Sequence, residues 1–182
     1  DVFDLPYNPG VMVLGDLNGD DFPEVALIRA NAIEAIEEPD DLVTILPNNN
    51  GDLSGTSLIV PTAFKPTVVA VADLDGDGFG DLTTVHGSAG LVRVMLNDGS
   101  GSLDANTFAD GTNYLSPGLA WTVTVVDLDG DGALDLAPAT PNHGNGPVWL
   151  QGRGDGTFEA AVDLSISASE FVLHPARITD SG

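Results

Sequence analysis

The chain has no cysteine and only five Lys and Arg residues among its 182. The first absence excludes a disulfide framework and zinc–thiolate sites, and it leaves the redox compartment open. The second argues against nucleic acid, whose phosphates need clustered Lys and Arg, and equally against anionic membrane surfaces. No apolar stretch approaches the ~18 residues of a membrane-spanning helix, so no membrane insertion is expected. Asp1-Val2-Phe3-Asp4 lacks the basic and apolar regions of a signal peptide. If the protein is secreted, its signal therefore lies upstream.

Acid is what the chain has in excess. Its 28 Asp and Glu residues give a formal charge of −23, which repels itself in a compact state, so bound cations are expected to matter for folding. Twelve of the 28 fall in three short loops, four in each. Asp73-Leu74-Asp75-Gly76-Asp77-Gly78-Phe79-Gly80-Asp81 returns as Asp127-Leu128-Asp129-Gly130-Asp131-Gly132-Ala133-Leu134-Asp135, and a weaker copy stands at Asp16-Leu17-Asn18-Gly19-Asp20-Asp21-Phe22-Pro23-Glu24. The starts are 57 (Asp16 to Asp73) and 54 (Asp73 to Asp127) residues apart. A period of this length marks stacked supersecondary units.

Each unit reads the same way. A β-branched run (Val11–Leu14, Val68–Ala72, Val123–Val126) precedes the acidic loop, and a second run follows it (Val25–Ile28, Leu82–Val85, Leu136–Ala139). A third run (Leu42–Leu46, Val92–Leu96, Val148–Leu150) leads into a turn rich in Asn, Asp and Gly. A fourth strand is expected near Ser57–Val60, Thr107–Leu115 and Phe158–Leu164. Short β-rich runs between Gly and Asn clusters are strand and hairpin signals, and four per repeat is the layout of a propeller blade. The fold class expected is all-β, with β-propeller blades in about three four-stranded antiparallel units. The boundaries are 1–10 for the end of a preceding blade, 11–64, 65–118 and 119–170 for three blades, and 171–182 for the start of another. Read so, the chain starts and stops inside repeats and is part of a longer or multi-chain array, completed by further repeats or other subunits. Asn31–Glu38, an insertion peculiar to the first unit, could form a turn of helix.

The pattern Asp-X-Asp-Gly-Asp-Gly-X-X-Asp, with its later Leu-Asn-Asp-Gly-type turn, resembles the FG-GAP/VCBS repeat family. That family includes the calcium-loop blades of integrin α-subunit propellers and many bacterial surface and lectin-like proteins. The resemblance runs over about residues 11–164 and is strongest in the second and third units. It implies a propeller and calcium, and no particular ligand.

The chemistry of the loops points the same way. Side chains at positions one, three, five and nine can converge on one ion, with a backbone carbonyl expected at position seven. The ligand sets are Asp73, Asp75, Asp77, Asp81 and the Phe79 carbonyl, then Asp127, Asp129, Asp131, Asp135 and the Ala133 carbonyl. A third set is Asp16, Asn18, Asp20, Glu24 and the Phe22 carbonyl, in which Asn18 supplies a neutral oxygen and Asp21 replaces a loop glycine. Oxygen-only sets of this charge suit calcium, with magnesium second because it demands a stricter octahedron. An EF-hand is excluded, since position twelve is Leu27, Thr84 or Pro138 instead of Glu and both flanks are β-like. Calcium at the concentrations that weak modules need is extracellular, so a secreted or cell-surface location is expected.

Other motifs have simpler readings. Arg153-Gly154-Asp155 spells an adhesive tripeptide but occupies the repeated glycine turn. His86, His143 and His174 fall at unrelated places in their repeats and read as loop or turn residues. Trp121 and Tyr114 are candidates for stacking on sugars, while Trp149, standing where the second unit has Met95, should pack between blades. No nucleophile elbow, phosphate loop or zinc motif occurs, so the chain is not expected to be an enzyme. The functional expectation is a calcium-stabilised module for binding or adhesion, with a carbohydrate or protein ligand. The alternatives are a structural subunit of a filament or assembly, and an accessory part of a polysaccharide-degrading enzyme.

Overall fold

A computed structural model describes residues 8–29, 41–108, 110–116, 120–139 and 148–164. The features expected at 1–7, 31–38 and 171–182, together with His143 and His174, lie outside the described residues. Among the described residues, twelve strands and one short 3-10 turn, Gly87–Ala89, make up the regular structure. β1 (Pro9–Gly15), β2 (Glu24–Arg29), β3 (Leu42–Leu46) and β4 (Leu58–Pro61) form one antiparallel sheet in chain order. β5 (Val68–Ala72), β6 (Asp81–His86), β7 (Leu91–Met95) and β8 (Thr112–Leu115) form the second. In the third, β9 (Thr122–Val126) pairs with β10 (Asp135–Ala139), and β11 (Val148–Trp149) with β12 (Val162–Asp163). Reciprocal backbone bonds between Leu136 and Leu150, at 3.1 and 2.9 Å, join the two halves.

The protein is thus all-β and built of blade-like meanders, with β1 beside β5 and β5 beside β9. These sheets do not close a ring among the described residues. The fourth strand of the first sheet lies as expected to within one residue, while those of the second and third are shorter than the sequence suggests. Thr107 is held in a turn, its hydroxyl accepting the Asp104 N–H (2.9 Å), so β8 starts only at Thr112. Phe158 makes one bridge to Gly152, and β12 begins four residues later.

Two apolar layers fill the spaces between sheets. Ile28, Val43 and Ile45 of the first sheet meet Val69, Leu82 and Met95 of the second. Val85, Val92 and Val94 on the other side of the second sheet meet Leu136, Val148 and Leu150 of the third. The middle sheet is covered on both faces, which is why all six residues of β6 are buried. A strand with two buried faces reads as a continuous run instead of an alternating one.

The acidic loops take part in this packing. Leu17, at the second position of the first loop, is 0% exposed and lies in the layer between the first and second sheets. Leu74, its counterpart in the second loop, is 3% exposed and lies in the layer between the second and third. The loops also touch through their backbones, Gly80 N–H donating to the Asp16 carbonyl at 2.8 Å. A Cβ at Gly80 would stand 2.7 Å from that same oxygen, so only glycine permits the approach.

Although both leucines sit in loops, they should behave as core residues. Leu17→Ala and Leu74→Ala are each expected to lower the unfolding free energy by about 2–5 kcal/mol, the range for large-to-small core substitutions. Urea unfolding followed by far-ultraviolet circular dichroism would measure this, and a loss under about 0.5 kcal/mol, ordinary for a surface site, would contradict the packing.

Candidate metal centre

The second and third loops are built bond for bond alike. In the second, Gly76 and Gly78 N–H donate to the two oxygens of Asp73 at 2.7 and 3.0 Å. Asp77 N–H donates to Asp75 Oδ1 (3.2 Å) and Phe79 N–H to Asp77 Oδ1 (2.8 Å). In the third, Gly130 and Gly132 donate to Asp127 at 2.7 and 3.0 Å, Asp131 to Asp129 at 3.2 Å, and Ala133 to Asp131 at 2.8 Å. Gly78 and Gly132 turn the chain at φ of 92° and 93°, in the left-handed half of conformational space that costs glycine nothing. In the first loop Asp21 fills this place at φ 68°, a conformation Asp tolerates better than most residues.

The ninth residue of each loop has a second task. Glu24, Asp81 and Asp135 each begin the second strand of a sheet and are fully buried. One oxygen accepts the N–H of the loop's second residue: Leu17 at 2.8 Å, Leu74 at 2.7 Å, Leu128 at 2.9 Å. The other accepts an N–H from just after the third strand: Asn48 at 3.3 Å, Asn97 at 2.8 Å, Gly152 at 2.7 Å. One buried carboxylate therefore pins the acidic loop to a strand end 16 residues on in the second sheet and 17 in the third. Burial pushes the Asp81 carboxyl up to about 6 against the opposing pull of these two N–H groups. Burial also raises Glu24 and Asp75, the latter aided by the neighbouring Asp77 and Asp73 charges.

Oxygens of Asp73, Asp75 and Asp81 lie within 4.8 Å of one another, as do those of Asp127, Asp129 and Asp135. Each group is able to hold a metal ion, and its chemistry fits a hard divalent cation: every donor is a carboxylate oxygen with lone pairs to spare. Asp77 and Asp131 stand beside these triads, each with one oxygen committed to the loop backbone. Phe79 and Ala133 supply the N–H groups that those two bonds use.

The first loop is different. Asp16 accepts N–H bonds from Gly19 (2.7 Å) and Asp21 (3.0 Å), and Asp20 accepts one from Phe22 (2.9 Å). Asn18 Oδ1 accepts the Asp20 N–H, while its amide nitrogen donates to Asp20 Oδ2 (3.1 Å) and Glu24 Oε1 (3.4 Å). An amide donor thus stands between carboxylates, and this loop forms no carboxylate triad among the described residues.

Several residues joined to the loops carry no acidic signal. Asn97 binds Asp81 through its N–H, and its side-chain nitrogen donates to the Leu17 and Gly80 carbonyls at 2.8 and 3.2 Å, stitching two successive loops together. Gln151 donates to Asp129 Oδ2 at 2.6 Å. The only sequence trace of these contacts is the Asn- and Gly-rich turn after each third strand.

The remaining candidates divide. Arg153 pairs with Glu159 at 2.6 Å and Asp155 accepts from Thr157, so the tripeptide is a turn with its charges engaged locally. His86 is the last residue of β6 and fully buried, not a loop residue; burial lowers its pKa and Thr84 bonds its Nε2 at 2.9 Å. Tyr114 packs edge-on against Phe158 (5.4 Å), its hydroxyl accepting the Phe158 N–H, which places it between sheets and away from a sugar-stacking role. Trp121 is 60% exposed. Trp149 does not take the place of Met95: Met95 pairs with Leu82, and the matching partner of Leu136 is Leu150.

Residues 16–84 match the FG-GAP-like repeat. The matched FG-GAP-like segment runs from the first acidic loop through the second and into β6. The third loop lies beyond it yet repeats the second in its Asp-to-backbone bonds and in the buried carboxylate at the ninth position. No curated protein sequence matches the chain.

Asp135→Asn tests the clamp separately from any ion. It replaces one accepting oxygen with a donor facing a buried N–H, at a cost of about 1–3 kcal/mol. The loss should persist in chelator, measured by urea unfolding; a variant as stable as the parent under chelation would show that the carboxylate is not a structural acceptor.

Proposed function

We propose that the chain is an extracellular, calcium-stabilised β-propeller-like module that binds a saccharide ligand without catalysing its conversion. The observation that carries the calcium reading is the pair of like-built carboxylate triads at Asp73, Asp75, Asp81 and at Asp127, Asp129, Asp135. Like charges gathered at this spacing repel unless a cation joins them, and oxygen-only donors favour calcium over softer metals. The first loop, with an amide donor between its carboxylates, ranks below them. Calcium supplies charge neutralisation and cross-linking of the loop, while the chain contributes a backbone already folded around the acids.

Ligand binding is argued from the opposite ends of the strands. A cavity of about 550 Å³ opens where Gly10 lies near the start of β1, Arg29 ends β2, Thr67 precedes β5 and Ser88 follows β6. Lys65 and Arg29, two of the chain's five basic residues, stand in its wall beside the exposed indole of Trp121. An aromatic face and cationic groups in one concavity suit a sugar ring carrying a carboxylate. Among the described residues lining it none is Asp, Glu or His, and a binding role is the simpler reading.

Calcium should raise the melting temperature and chelator lower it, with about 2.7 kcal/mol per site expected at a hundredfold excess over Kd. Asp75→Asn should destabilise the protein in calcium and be neutral or stabilising in chelator, where it relieves repulsion. The pH dependence follows from Asp81. Without a cation, its neutral form contributes stability that is complete below the ordinary 3.8 and lost as pH rises through about 6. Calcium needs the carboxylate, so its affinity should increase over the same rise, as calorimetric titration at pH 5 and pH 7 would show. Equal melting temperatures in calcium and chelator would remove the structural role.

For the ligand, a uronic-acid oligosaccharide should bind more tightly than a neutral one of equal length, and Trp121→Ala should abolish the difference in calorimetry. Failure of both sugars to bind would refute the saccharide reading.

A further inference from the structure

His86 lies where β6 runs into the cavity wall, and it takes no part in the metal centre. The residue is fully buried at the end of its strand. Its Nε2 meets the Thr84 hydroxyl at 2.9 Å, while its Nδ1 is buried without a well-formed hydrogen bond. The Phe64 ring stands edge-on to it, 6.1 Å away between centroids.

Two segments meet at this ring, and both belong to the cavity. The link between the first and second sheets, which carries Phe64, supplies Lys65, Pro66 and Thr67 to the wall. It is tied at its ends by the Thr62 N–H on the Asp41 carbonyl and the Thr67 N–H on the Val85 carbonyl, both at 2.7 Å. Within it the Thr62 hydroxyl donates to the Phe64 carbonyl at 2.7 Å. The residues after the ring, Gly87 and Ser88, supply the neighbouring wall. A Cβ at Gly87 would stand 2.8 Å from the Ala120 carbonyl oxygen, so this turn packs directly against the residue before Trp121. Movement of the ring therefore reaches Lys65 on one side and Trp121 on the other.

Charge decides whether the ring can stay in place. Burial holds its proton affinity below the ordinary 6.5; the Lys65 and Phe64 backbones oppose this, the Arg93 guanidinium of β7 reinforces it, and the Asp41 carboxylate before β3 opposes it. An imidazolium donates from both nitrogens, whereas only Nε2 has a well-formed partner. The opened state binds the proton more tightly than the closed one. The neutral ring thus contributes stability that is full above 6.5 and lost as pH falls through the lower folded value.

We propose that His86 is an acid-sensitive latch on the cavity: its protonation releases the 62–67 link, draws Lys65 out of the wall and weakens binding of an anionic ligand there. The ligand half rests on the saccharide reading; release of the link does not. Attraction between the new imidazolium and a ligand carboxylate works the other way and is the smaller effect. A partly exposed ion pair contributes about fivefold or less. Opening driven by one proton gains up to about thirtyfold between 6.5 and pH 5, at tenfold per pH unit.

Hydrogen exchange on the full chain in saturating calcium, corrected for the intrinsic pH dependence of amide exchange, tests the release. Protection across 62–67 should fall by up to about thirtyfold from pH 7.5 to pH 5 in the parent. It should stay level in His86→Gln, which keeps a polar side chain without a titrating ring. Asp81 and Glu24 are unchanged in that variant, so a fall that survives in it belongs to the carboxyls and overturns the latch. The His86 ring resonances of the parent, identified by their contact with Thr84, give a measure that needs no variant. A pKa below 6.5 is expected, and one at or above it overturns the latch. Calorimetry with the uronic-acid oligosaccharide reads the ligand half, since a carboxylate of ordinary pKa near ~4 stays ionised at both pH values. Affinity should fall severalfold on acidification in the parent and hold in His86→Gln; an affinity that rises instead overturns the ligand half. If no sugar binds at either pH, the saccharide reading fails and hydrogen exchange still decides the latch.

Discussion

Everything around the acidic loops depends on one buried carboxylate per sheet. Asp81 accepts one N–H from its own loop and another from beyond the third strand, and Asp135 and Glu24 repeat the arrangement. A bond from N–H to a charged oxygen contributes about 1.5–3 kcal/mol and leaves a costly gap when lost. The pair of bonds sets where the loop leaves the sheet, and hence where its second and third residues point. The remaining acids then need only short bonds to the loop's own backbone to reach their places.

The same clamp links chemistry to packing. By fixing the N–H of the second loop residue, the carboxylate aims the adjoining leucine into the space between sheets, where Leu17 and Leu74 are buried. The candidate metal centre of the second loop therefore sits beside the seam between the second and third sheets instead of at the tip of a free hairpin. Under the proposed function, a cation bound there stiffens the stacking of units as well as one loop, consistent with a repeat architecture whose stability comes from neighbour contacts. The burial that raises Asp81 is the cost of this position, since a carboxylate out of water is stabilised only by what it bonds.

Division of labour along the strands follows. The acidic loops occupy one end of the sheets, and the cavity with Trp121, Lys65 and Arg29 opens at the other. Under the proposed function, the charged end is held in shape by the cation and the concave, partly cationic end reads the ligand. Of the sheet faces, the first exposes Met12 and Leu14, and Leu128 is exposed beside the third.

The sequence by itself determined the repeat, the order of the strands and the identity of the loop acids, because these are written locally. β-branched runs, glycines at positive φ and alternating carboxylates each act within a few residues. It did not determine that Asp81 binds Asn97, that the Asn18 amide faces Asp20 and Glu24, or that His86 is buried at the end of a strand. Those depend on which strand end or side chain arrives opposite. Trp149 shows the limit most clearly: its position in the repeat suggests Met95, but pairing gives that place to Leu150, and a one-residue shift moves a side chain to the other face. Leu74 and Leu128 stand in the same Asp-Leu-Asp-Gly-Asp-Gly context and Leu17 in a weaker copy of it, yet Leu17 and Leu74 are core and Leu128 is half exposed. Among the described residues only Leu17 and Leu74 have a neighbouring sheet to pack against, because burial belongs to the contact and not to the residue.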